Sequence, residues 1–156
     1  MQAVVGHATQ IERYRRGKVE GKSLGSGSLS CDAEAFHEVL QRESQRSLRS
    51  GTPLLLVLID VSGYGPGEKL TITAQRIQTI LSFSTREVDT KGWYAQDAVL
   101  GILFTEFGSM RGSIGAAREA IVARLYNSLS RVLKDGALRI VPCILQTRLL
   151  PLNAFC

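Results

Sequence analysis

PLLLVLID, Pro53 to Asp60, sets six apolar residues in an unbroken run between a proline and an aspartate. A strand with one face in water alternates apolar and polar side chains, so this run reads as a strand buried on both faces. On its N-terminal side, SCDAEAFHEVLQRESQRSLRSG carries Phe36, Val39 and Leu40 at helical spacing, with Ser30 or Asp32 to cap the helix and Gly51 to stop it. On its C-terminal side, VSGYGPGEK has three glycines and a proline in nine residues and is a loop. Apolar residues return at Leu70, Ala74, Ile77, Ile80 and Leu81, which predicts a second amphipathic helix over Leu70 to Phe83.

The next stretch, REVDTKGWYAQDAV (Arg86 to Val99), places charged residues ahead of two aromatics and a carboxylate. It leads into AVLGILF, a short apolar strand, so Lys91 and Gly92 are expected in or near a hairpin turn, with Trp93 and Tyr94 in the hairpin. A third helix fits Ser113 to Leu133, with Ile121, Leu125, Ser128, Leu129 and Val132 on one face and Arg124 at its margin. ALRIVPCILQ closes the order as a strand in which Pro142 argues for an edge or a bulge. The order α, β, α, β-hairpin, α, β predicts an α/β (α+β) sandwich of helices on a mixed or antiparallel sheet.

The 156 residues, 44% apolar and 21% charged, suit one domain with one core. Residues 1–30 combine RYRRGK with the Gly/Ser stretch GKSLGSGSLS and read as a basic, flexible tail, leaving 31–156 as the folded unit. No apolar run approaches the roughly 20 residues of a membrane span and the N-terminus lacks the order of a secretion signal, so a cytoplasmic location is expected. Cys31, Cys143 and Cys156 are widely spaced, and His7 and His37 stand alone, which suggests neither a disulfide framework nor a metal site. The formal charge of +5 suits an anionic partner, but the basic residues are spread along the chain and do not alternate with aromatics, which argues against extended nucleic acid.

The strand ending in Ile59-Asp60, the REVD tetrapeptide and, five residues later, AQDAV together resemble the GGDEF domains of diguanylate cyclases in a degenerate form, from about Cys31 to Thr147. An RxxD alone is weak evidence, since about half a chance match is expected in a chain of this length. Its register with the strand and the hairpin makes it specific. The resemblance implies a central, mainly antiparallel sheet flanked by helices. It also implies that active relatives join two GTP molecules, using carboxylates to hold divalent metal and a glycine pair to let nucleotide approach the backbone.

Here Asp60 stands at the family's first metal-binding position and Asp97 at the third position of the signature, both vestigial. Ala95 and Gln96 replace the two glycines, Ala98 replaces the catalytic acid, and the Ser62–Lys69 loop is shortened. The resemblance therefore implies a pseudoenzyme with no metal, no resident cofactor and no cyclase activity.

In the family RxxD is the inhibitory site (I-site) for cyclic di-GMP, so Arg86 and Asp89 are the expected ligand residues, with Arg124 and, more weakly, Arg118 adding cations. A guanidinium can donate two hydrogen bonds to guanine O6 and N7, and a carboxylate can accept from the base's N1 and N2 hydrogens. The expected function is a cyclic di-GMP receptor in signalling that controls exopolysaccharide production or biofilm, working through a protein partner or a homodimer. The alternative is an interaction scaffold of the same fold that binds no nucleotide.

Overall fold

Asp32 starts the first helix by accepting the Ala35 N–H at 2.9 Å, and Gly51 ends it in the left-handed conformation (φ 70°) with its N–H on the Ser47 carbonyl. The computed structural model describes residues 31–106, 113–131, 133 and 138–145, so the expected tail, residues 1–30, lies outside the described residues. The elements are α1 (Ala33–Ser50), β1 (Leu54–Asp60), a 3-10 turn (Ser62–Tyr64), α2 (Glu68–Ser84), β2 (Thr90–Ala95), β3 (Val99–Phe104), α3 (Ile114–Ser130) and β4 (Arg139–Leu145). This is the expected order. Ser113 caps α3 through the Ala116 N–H, and Leu133, beyond the end of the helix, is buried and bonded back to Leu129.

Among the described residues four strands form one sheet in the order β2-β3-β1-β4, with each of these pairings antiparallel. β1 is central and each residue from Leu54 to Ile59 is buried, as its unbroken apolar run requires. Alternate residues serve two cores. Leu55, Val57 and Ile59 pack with Ile77 and Leu81 of α2 and with Leu125 and Leu129 of α3. Leu54, Leu56 and Leu58 pack with Phe36 of α1 and Leu103 of β3. Pro142 lies on β4, which sits at the end of the strand order, where a missing N–H is tolerated.

One expectation fails. Lys91 and Gly92 lie within β2 and not at the turn, while Trp93 and Tyr94 are in the hairpin as expected; the chain turns at Gln96 to Ala98, where the Ala98 N–H bonds to the Ala95 carbonyl. The reason is packing. Gly92 faces Gly101 across the hairpin, and the vacated space is filled by the Phe36 ring, so this glycine serves close approach rather than chain reversal.

Candidate functional site

The REVD tetrapeptide folds as a turn that its own atoms close. Thr85 caps α2 by donating both its N–H and its hydroxyl to the Leu81 carbonyl. The Asp89 N–H then donates to the Arg86 carbonyl at 3.2 Å, and the Arg86 N–H donates to Asp89 Oδ2 at 2.8 Å. From β2, Lys91 Nζ donates to the Thr85 hydroxyl and to the carbonyls of Arg86 and Asp89 at 3.1 to 3.3 Å. Asp89 is only 5% exposed, and burial raises its carboxyl pKa above the ordinary range despite the Arg86 N–H and the charges of Lys91, Arg86 and Arg124, which pull it down.

Arg86 and Asp89 therefore do not project alike. The Asp89 carboxylate is turned into the turn it closes, whereas the Arg86 side chain is 63% exposed and lies 3.5 Å from Glu106. Both border a cavity of about 250 Å³. Phe104 and Glu106 at the end of β3 form one wall; Ala120, Ile121 and Arg124 of α3 form another. The structure thus brings Arg86, Asp89 and Arg124 together. It does not bring Arg118 to them: that residue lines a separate cavity of about 660 Å³ walled by α3, the start of β4, the end of β1 with Asp60, and Tyr94 and Val99 of the hairpin. Glu106 and Lys91 were not singled out from the sequence.

The positions that resemble a catalytic centre are occupied by local hydrogen bonding. Asp60 Oδ1 accepts the Ser62 N–H at 2.9 Å and the Ser62 hydroxyl at 2.6 Å. Asp97 takes φ 57° at the third position of the Ala95–Ala98 turn, a conformation that Asp tolerates because its short polar side chain bonds locally, here with Gln96 Nε2 at 3.1 Å. Divalent metal needs several converging oxygen ligands, and among the described residues no group of three His, Cys, Asp or Glu is placed to hold an ion. If Asp97 serves the turn, Asp97→Asn leaves stability within about 0.5 kcal/mol and Asp97→Val, β-branched at positive φ, lowers it by about 1–2 kcal/mol; urea unfolding of both variants checks this.

His37 joins α1 to the hairpin, its Nε2 donating to the Tyr94 carbonyl at 2.7 Å with the two rings 4.8 Å apart. Cys31 and Cys143 are free thiols, the first with its pKa raised by burial and by the Asp32 charge; Cys156 lies outside the described residues. No helix among the described residues is long and apolar enough to cross a membrane.

No protein-family model and no curated protein matches the chain. Solved structures do. A diguanylate cyclase (DGC) protein from Thermotoga maritima superposes with TM-score 0.53 at 16% identity over 72% of this chain and 78% of its own. The GGDEF domain of DgcB from Caulobacter crescentus, in complex with c-di-GMP, gives 0.50 at 11% identity over 78% of this chain and 79% of its own. The diguanylate cyclase SiaD from Pseudomonas aeruginosa, in complex with its activator SiaC, gives 0.53 at 16% identity over 87% of this chain and 54% of its own. The antiparallel sheet flanked by helices is the fold of GGDEF domains.

Proposed function

We propose that this chain is a catalytically inactive domain of GGDEF fold that acts in the cytoplasm as a receptor for cyclic di-GMP, passing the signal to a protein partner or a second copy in the control of exopolysaccharide or biofilm. The carrying observation is the meeting of Arg86 and Arg124, from different elements, on the cavity that Asp89 also borders. The DgcB domain, which shares the fold, was solved with c-di-GMP. Arg86 offers a guanidinium fork to guanine or phosphate, Arg124 a second cation, and the Asp89 oxygen not engaged by Arg86 an acceptor for the base's N–H groups. A volume of about 250 Å³ is below the roughly 300 Å³ at which ligand pockets usually begin, so one base enters and the rest of the ligand lies along the surface.

Inactivity rests on Ala95, Gln96 and Ala98 in place of the glycine pair and the acid, and on the local use of Asp60 and Asp97. The unit carrying this function is 31–156, with 1–30 as a tail. Isothermal titration calorimetry with cyclic di-GMP tests the reading: wild type binds, and Arg86→Ala weakens binding by about tenfold, as loss of one bidentate contact does. Wild-type heats equal to dilution would overturn it. Cyclic di-GMP made from GTP and magnesium at an ordinary enzymatic rate would overturn the inactivity.

The scaffold reading draws on a different observation. Phe83, 88% exposed in the last turn of α2, and the exposed Val88 flank Arg86 in sequence and give the region an apolar surface suited to a protein. A chain that binds neither cyclic di-GMP nor GTP favours this second reading.

A further inference from the structure

Arg86 meets the cavity as an exposed arm on a fixed base. Its N–H donates to Asp89 Oδ2, and its carbonyl accepts twice, from the Asp89 N–H and from Lys91 Nζ at 3.3 Å. Lys91 Nζ also donates to the Thr85 hydroxyl and to the Asp89 carbonyl, both at 3.1 Å. An ammonium carries three donors, and here all of them serve this one turn, none through a carboxylate. Ordering a lysine costs more rotamer freedom than ordering most side chains, so a surface lysine ordinarily leaves its ammonium in water. This one bends back from the start of β2 onto the residues that carry the Arg86 side chain. It is not among the described residues that line the cavity, so it reaches a ligand there only through the turn.

We propose that Lys91 is a positioning residue for the Arg86 guanidinium: it fixes the main chain from which Arg86 extends, so that binding cyclic di-GMP orders one side chain instead of a side chain together with its turn. The proposal rests on the receptor reading and adds to it a residue that raises affinity without touching the ligand. A lysine acting by its charge alone would attract an anion with or without Arg86. A lysine that only braces the fold would change melting and leave affinity alone.

Calorimetric titration of the full chain with cyclic di-GMP separates the three roles when wild type, Lys91→Met, Arg86→Ala and the double variant are compared, each melted thermally to show a cooperative fold. Methionine keeps an unbranched apolar stem and removes the donors. Lys91→Met should weaken binding by about fivefold, within the range for ordering a side chain at an interface. With alanine already at Arg86 the further loss should be less than about twofold, because residues that act through one another are not additive. Should Lys91→Met not melt cooperatively, Thr85→Val, which removes one of the three oxygens and leaves Lys91 in place, carries the same comparison with a smaller loss. Equal affinities of wild type and Lys91→Met, or an equal loss in the Arg86→Ala background, overturn the positioning role while the receptor reading stands; heats of dilution from wild type overturn both.

Discussion

Phe36→Ala is expected to lower the unfolding free energy by about 3–5 kcal/mol, the range for emptying a buried aromatic site. Phe36 is 0% exposed and lies against a place where two facing strands carry no side chains. A Cβ built on Gly101 would lie 2.6 Å from two carbons of the Phe36 ring, and one on Gly92 would lie 2.9 Å from the ring and from Cys31. The ring has nowhere to go, so Gly101→Ala alone should cost about 1–3 kcal/mol through overpacking. Combined with Phe36→Ala the clash disappears and the methyl enters vacated space. The double mutant should then be more stable than the sum of the single effects by about 0.5–3 kcal/mol. Urea denaturation of the four proteins measures this; strict additivity would show that ring and glycine are not in contact.

Asp89→Ala is expected to cost about 2 kcal/mol, because it strips the Arg86 N–H of a buried acceptor. Asp89→Asn keeps an acceptor oxygen and should recover most of that loss. The two substitutions thus separate turn closure from charge. The pH dependence has a definite sign. Burial holds the folded-state pKa of Asp89 above its unfolded value, so the folded chain binds the proton more tightly. The contribution of this group is fully present below the unfolded pKa and is lost as pH rises through the raised folded pKa. Asp89→Asn lacks this titration, so its stability relative to wild type should rise from acid toward neutral pH. Denaturant curves for both proteins at several pH values report the difference, and a relative stability that fell toward neutral pH would contradict a net burial cost at Asp89.

The central strand was legible because six consecutive apolar residues admit one reading, and α1 because Asp32 and Gly51 are strong start and stop signals. Pro142 argued for an edge or a bulge, and among the described strands β4 takes the edge. The hairpin was misplaced because glycine marks a turn by local rules, and nothing local announces that Gly92 makes room for a ring from a helix more than fifty positions earlier. That error also hid Glu106. With the turn at Gln96 to Ala98, Thr90 pairs with Leu103, and continuing the register brings the REVD turn beside the end of β3. With a turn at Lys91 and Gly92, Glu106 would have been far away. The RxxD spacing identified a real turn, but spacing does not reveal whether an aspartate faces outward or caps its own arginine's backbone.

The Lys91 ammonium, held by three oxygens of one short turn, has a kinetic consequence. On the receptor reading proposed above, the main chain around Arg86 is assembled before cyclic di-GMP arrives, so capture would await no folding step and forfeit little chain entropy. Side chains such as Arg86 and Arg124 would reorient, which would leave the rate of association to diffusion and docking, and the lifetime of the complex to the strength of the side-chain contacts.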